Sequence, residues 1–300
     1  MAADRISQLP DTILHHILSY LPTQLVVKTS ILSERWRYLW ASISHIHIAI
    51  YDFPSIKSFE HFTEAVLLCR DASSPIQTFH LCWGRDLDQA HADIWIYHAV
   101  HRHIRELDLT LARDGKLPQC VFTCKSLSVL KLTADNCLRA IDFPINLSGL
   151  ETWHLSGISC EGETLVKIIS GCPVLEGLKI MFCKFCVLEI NSRKLKHLDL
   201  LETGSSHAKV RVVAPGLKSL DIQGLMAEDI SLEHLTSLER AHLRNLLLNG
   251  PTRIFRSLYT VSSLRLYDSA LEFCSCCGQS PRHPIVGKRA RAPAKTRSPL

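Results

Sequence analysis

The chain has 300 residues, 46% hydrophobic and 21% charged, a composition ordinary for a globular protein and a length ample for a sizeable core. No run of about 18 apolar residues and no secretory leader pattern appears, which argues against a membrane span and for an intracellular chain whose twelve cysteines are thiols rather than disulfides. The net charge of +5 does not describe the body: six of the 34 basic side chains, Arg282, Lys288, Arg289, Arg291, Lys295 and Arg297, lie in 281–300 without an acid, leaving 28 basic against 29 acidic groups elsewhere.

Residues 5–21 read RISQLPDTILHHILSYL. Ser7 or Asp11 suits the start of a helix, and Pro10 its first turn, where a missing N–H loses no bond. Ile13, Leu14, Ile17, Leu18 and Leu21 then recur at a helical period and predict one apolar stripe. Pro22 stops that helix. A second helix is predicted from Gln24 to Leu32, carrying Leu25, Val26, Val27, Ile31 and Leu32. Ser33 is placed to cap a third, with Trp36, Leu39 and Trp40 on one face. Three helices in about 36 residues bury too little surface to stand alone. The module must lean on its own chain or on a partner.

The string DRISQLPDTILHHILSYLPTQLVVKTSILSERWRYLW resembles the F-box, in the form abundant in plants. The resemblance rests on Leu9-Pro10, on Ile13-Leu14 with Ile17-Leu18, on Leu21-Pro22, and on the S-x-L-S-x-R-W-R-x-L-W stretch from Ser30 to Trp40. It implies docking to a Skp-type adaptor and, through that adaptor, to cullin and RING subunits of a ubiquitin ligase. It also implies that Leu9, Pro10, Ile13, Leu14, Ile17, Leu21 and Pro22 lie at or near the adaptor contact. The plainer alternative is a helical cap on the segment that follows, with the same side chains buried inside it.

From residue 76 onward one unit recurs: apolar, two variable residues, apolar, polar, apolar. It reads IQTFHL from Ile76, IRELDL from Ile104, LSVLKL from Leu127, LETWHL from Leu150 and LEGLKI from Leu175. It continues as LKHLDL from Leu195, LKSLDI from Leu217, LERAHL from Leu238 and VSSLRL from Val261. Successive starts lie 20 to 28 residues apart, the spacing of leucine-rich repeats. Each unit is predicted to end in a short strand whose apolar pair enters the core while the residue between them faces outward. That residue is His80, Asp108, Lys131, His154, Lys179, Asp199, Asp221, His242 or Arg265. All nine are polar, although apolar positions alone defined the search. A tenth strand is expected at Ile46, Ile48 and Ile50, joining the helical module to the array.

Between strands, 59–69, 90–101 and 164–170 read as helical, and Lys209–Val213 as extended. The Asn or Cys that usually stands three residues after the last strand leucine is met by Cys183; the other places hold Gly84, Ala112, Asp135, Ile158, Thr203, Leu225, Leu246 and Ser269. Such irregularity resembles plant F-box/LRR proteins, in which a so-called FBD segment often follows. That segment is not recognisable here. The pattern ends near Glu272, and the basic remainder is expected to be disordered.

Little in the chain suggests chemistry. Cys183 and Cys186 form a lone CxxC in a repeat and read as core cysteines. Cys274, Cys276, Cys277 and His283 match no standard zinc spacing, and His98, His101 and His103 lack an HExxH frame. No GxSxG, P-loop or strand-borne GxGxxG is present. No catalytic residue, metal or cofactor is expected. The cluster from Lys288 to Arg291, with Lys295 and Arg297, reads equally as a localisation signal or weak nucleic-acid contact and as a solubilising tail.

The sequence therefore predicts an α/β chain: a three-helix F-box over 1–42, a leucine-rich-repeat solenoid over 43–271, and a basic tail over 272–300. The solenoid should have a curved parallel sheet and a helical or extended convex side. The resemblance implies a non-catalytic substrate-recognition subunit of the nucleus and/or cytoplasm, whose repeat face holds a protein target. His154, Lys179, Asp199, Asp221 and His242 are the expected target contacts. The rival is a repeat scaffold that binds a peptide or nucleic acid without any ligase, although nucleic acid is not expected. A small-molecule pocket is left open.

Overall fold

The computed structural model describes residues 6, 8–84, 86–111, 116–134, 143–160, 164–248, 254, 258 and 261–267. Ser7, Ala112, Asp135, Ser269, the cysteine cluster at 274–277 and the basic tail lie outside the described residues.

The first helix, α1 (Asp11–Leu18), is entered from Pro10, whose φ of −58° and ψ of 148° turn the chain into it. No side chain caps it; Asp11 instead stands in the first turn, where its charge suits the helix dipole. Pro22 likewise precedes α2 (Thr23–Lys28). That helix ends earlier than the sequence predicts, passing into a 3-10 turn at Thr29–Ile31. The Thr29 hydroxyl donates to the Val26 carbonyl at 2.6 Å, a local bond that competes with helix propagation. The expected third helix is a 3-10 segment, Trp36–Ser42. Its three-residue turn stacks Trp36 and Leu39 on one side, and both are buried.

Leu14, Leu18, Val26, Trp36, Leu39 and Ile43 form the module's own small core. The module also leans on the array. Thr23 is buried, and its hydroxyl accepts the His47 amide at 2.8 Å. Gln24 donates to the Asp52 carbonyl at 3.0 Å, and Val27 and Trp40 pack against the main core.

The array begins with β1 (His45–Ala49), α3 (Ile56–Cys69), β2 (Thr78–Cys82), α4 (Gln89–Val100), β3 (Glu106–Thr110), α5 (Gln119–Phe122), β4 (Val129–Thr133), β5 (Thr152–Ser156), α6 (Thr164–Ser170) and β6 (Gly177–Met181). It continues with β7 (Val187–Asn191), β8 (His197–Leu201), β9 (Lys209–Val213), β10 (Ser219–Gln223), β11 (Met226–Ala227), β12 (Asp229–Glu233), β13 (Arg240–Arg244), β14 (Leu247–Leu248) and β15 (Ser263–Tyr267). Ten of these strands form one sheet in the order β1-β2-β3-β4-β5-β6-β8-β10-β13-β15. The pairings are parallel, one repeat to the next. The tenth strand is present as β1, burying Ile46 and Ile48, but it ends at Ala49, and Ile50 begins a 3-10 turn instead.

The opposite side changes character along the chain. Early crossovers are helical, with α3 opened by Ser55 and Ser58 in a reciprocal capping box. From β6 to β13 the repeats shorten to 20–22 residues. A strand covers about 3.3 Å per residue against 1.5 Å for a helix, so a short repeat reaches back to the sheet only if its crossover is extended. Accordingly β7, β9 and β12 form a second parallel sheet in the order β12-β9-β7, and Lys209–Val213 is extended as read from the sequence.

The turns after β5, β6, β8, β10 and β13 repeat one device. Gly157, Phe182, Glu202, Gly224 and Asn245 all take φ between 46° and 71°. The first four donate their N–H to the last residue of the next strand, as Phe182 does to Leu201 at 3.0 Å and Glu202 to Gln223 at 2.7 Å. The following residue in each turn, Ile158, Cys183, Thr203, Leu225 or Leu246, is buried. These are the places where an Asn or Cys was expected, and Cys183 alone of the five meets the expectation. A mostly apolar column replaces the polar ladder, and Thr203 closes it locally by donating to the Cys183 carbonyl at 2.7 Å.

Candidate functional site

Two surfaces stand apart from the rest of the molecule: the outer face of the helical module and the concave face of the ten-stranded sheet. On α1, successive residues project about 100° apart, so the predicted stripe divides. Leu14 and Leu18 turn inward, whereas Ile13 and Ile17 stay 45% and 42% exposed. Leu14, expected near the adaptor contact, therefore fills the module's own core. Leu9 is half-buried against that core, Pro10 and Leu21 are exposed, and Pro22 is half-buried.

The sequence did not single out Tyr20, Leu25, Ile31, Leu32 and Tyr38 as a surface, yet all are exposed, Ile31 at 88%. So much apolar surface within some twenty residues marks an interaction site. A large aliphatic side chain contributes about 1.5–3 kcal/mol when fully buried.

On the concave sheet the predicted outward column is continuous. His47, His80, Asp108, Lys131, His154 and Lys179 are successive register partners. Asp199, Asp221, His242 and Arg265 complete the line. The structure thus brings His154, Lys179, Asp199, Asp221 and His242 into one row. His47 heads the column and went unnamed in the sequence reading, although its place between Ile46 and Ile48 carried the signal. The flanking outward columns, which include Glu106 and Arg240, were also legible as the residues two places from the centre.

The N-terminal part of the face is paired internally. His47 and His80 meet edge to face at 4.1 Å, His80 Nδ1 lies 3.2 Å from Asp108, and Lys131 Nζ lies 2.6 Å from Glu106. Burial and the neighbouring His80 push the His47 imidazole below its ordinary pKa. Burial, Lys131 and Lys179 do the same to His154. Burial and the adjacent Asp221 push the Asp199 carboxyl up. Asp221 itself accepts from Gln223 at 3.0 Å and lies 3.4 Å from His242 Nδ1, whose ring stands 5.3 Å from Tyr267.

Among the described residues no three His, Cys, Asp or Glu side chains converge as a metal site would require. Cys183 is buried and Cys186 exposed, both as free thiols. His101 stacks on Tyr97 at 3.9 Å. Among the described residues no helix is long and apolar enough to cross a membrane. A hollow of about 280 Å³ lies away from the concave face, between α6 and β7, lined by residues that include Val166, Cys172, Ile190 and Leu195.

Comparison with known proteins follows the same division. A family model described as F-box domain matches residues 6–46. Another, described as FBD-associated F-box protein At5g56370, LRR repeats, matches residues 92–226. The FBD-associated F-box protein At5g56370 of Arabidopsis thaliana is 33% identical, with 91% of this chain and 70% of the relative covered. The chain belongs to the plant F-box/LRR-repeat family. The F-box/FBD/LRR-repeat protein At4g00160 of the same plant is 32% identical over 75% of this chain and 52% of its own length. The FBD-associated F-box protein At3g52670, also from Arabidopsis thaliana, is 31% identical over 74% and 55%. This F-box/LRR-repeat chain spans from half to 70% of the length of such relatives. No solved structure matches it. The repeat match ends at Met226 in β11, yet β13 and β15 beyond it keep the same strand register.

Proposed function

We propose that this chain is the substrate-recognition subunit of an SCF-type, cullin-RING ubiquitin ligase. The outer face of the F-box binds a Skp-type adaptor, which joins it to the cullin and RING subunits, and the concave repeat face holds the target protein. The observation that carries the reading is the exposed row Ile13, Ile17, Leu21 and Leu25 on a module that matches the F-box. Buried beneath an adaptor, that row supplies the apolar surface a small module cannot cover by itself. The chain then acts without chemistry of its own. A held target meets the ubiquitin-charged subunit at high effective concentration, which replaces a bimolecular encounter by a local one. Such a subunit works in the nucleus and/or cytoplasm.

The test is binding to a purified Skp-type adaptor. Wild type is expected to bind. Ile13→Glu with Ile17→Glu is expected to weaken binding at least about 100-fold, or about 2.7 kcal/mol, with an unchanged circular dichroism spectrum because both positions are exposed. If wild type fails to bind, the helical module is only a cap on the solenoid and the ligase reading is wrong.

A further inference from the structure

From β4 onward the charges of the concave face are ordered in blocks along the array. Lys131 and Lys179 form a basic block on β4 and β6, with His154 between them in register. Burial and these two lysines keep that imidazole from adding charge readily. Asp199 and Asp221 form an acidic block on β8 and β10. Arg240 on β13 and Arg265 on β15 form a second basic block around His242. Lys131 already meets Glu106 and Asp221 already meets His242 and Gln223. By contrast Lys179, Arg240 and Arg265 make no ion pair among the described residues, and Arg240 and Arg265 are exposed.

Three alternating blocks select against a uniformly charged occupant. A nucleic acid laid along the sheet would be attracted at both ends and repelled by Asp199 and Asp221 in the middle. The chain's own residues 281–300, with six basic groups and no acid, would be repelled by both basic blocks. A protein segment of mixed sign meets neither objection.

Building on the reading that this face holds the target, we propose that it receives an extended target segment whose charges run acidic, basic, acidic. One acidic stretch meets Lys131 and Lys179, the basic centre meets Asp199 and Asp221, and the other acidic stretch meets Arg240 and Arg265. Arginine forks pair bidentately with planar carboxylates, which suits Asp and Glu side chains at that end. Neighbouring block centres lie two to two and a half strand spacings apart, roughly 10–12 Å at about 4.8 Å per strand. An extended chain spans this in about three to four residues at 3.3 Å each.

The experiment is fluorescence anisotropy on the full chain at low ionic strength. The probes are a labelled peptide with Asp/Glu ends and a Lys/Arg centre at that spacing, a peptide with every charge inverted, and a single-stranded oligonucleotide. The acidic-basic-acidic peptide is expected to bind at least tenfold more tightly than the other two and to weaken as salt rises. Arg240→Glu with Arg265→Glu should weaken it tenfold or more. Lys209→Glu, an exposed charge on convex β9, should leave it unchanged. The inference is overturned if that peptide does not bind, if the inverted peptide or the oligonucleotide binds as well, or if the double arginine variant has no effect. Adaptor binding by the same preparations separates this failure from failure of the ligase reading.

Discussion

At the scale of single residues, the strand-end turns separate two kinds of glycine. Gly224 takes φ +62°, and a Cβ there would meet the Glu202 carboxylate, the movable end of a side chain. Its counterparts in neighbouring turns, Phe182, Glu202 and Asn245, already hold side chains at φ 46–54°. Gly204 stands three residues beyond its strand at φ +95°, and a Cβ would lie 2.1 Å from the Met226 carbonyl oxygen. That oxygen belongs to the bridge that links the two turns and has no room to retreat. Gly224→Ala should therefore cost about 1 kcal/mol, the usual left-handed penalty, while Gly204→Ala should cost about 3 kcal/mol or more. Urea denaturation of both variants measures the difference. Equal losses would mean that the turns yield as units and that the close backbone approach is not what demands glycine.

At the scale of elements, α1 carries the lesson about what sequence can tell. Strands were legible because alternation is local: two apolar residues around one polar residue fix which side each faces, and all nine outward positions were found in register. The apolar stripe on α1 was legible as a stripe, but its division into two faces was not. Which side of a helix meets the chain and which meets a partner depends on tertiary packing, here by Val26, Trp36 and Leu39. The sequence reading named Lys209–Val213 alone among the convex strands, although in β7 and β12 Leu188 with Ile190 and Ile230 with Leu232 alternate in the same way. The two faces of α1 make separable predictions. Leu14→Ala removes a fully buried side chain and should lower the module's stability by about 2–5 kcal/mol. Ile17→Ala, on the exposed face, should change stability by less than about 0.5 kcal/mol while weakening adaptor binding. Thermal melts of the two variants decide this, and similar losses would contradict the division of the faces.

At the scale of the whole molecule, the ten parallel strands make a stack about 40 Å long at about 4.8 Å per step, with the F-box module attached at β1 and the second basic block at β13 and β15. Each repeat contacts its neighbours and little else, so stability should be a sum of local and nearest-neighbour contributions. The module joins the stack at one end, through the Thr23–His47 bond and the packing of Val27 and Trp40. Loss of a core side chain at the far end should therefore loosen that end alone. Leu266→Ala in β15 removes a fully buried side chain and should speed amide exchange in β13 and β15, with β2 to β4 as protected as in wild type. Ile180→Ala in β6, equally buried, has neighbours on both sides and should raise exchange in β5 and β8 together. Hydrogen exchange read by mass spectrometry resolves the two patterns. Should Leu266→Ala accelerate β2 as much as β13, the array would unfold as a single cooperative body, and a disturbance at the arginine end would reach the F-box directly. If exchange stays local, the helical module and the far end of the array are energetically separate, and the proposed ligase subunit would position a target by its length and stiffness alone.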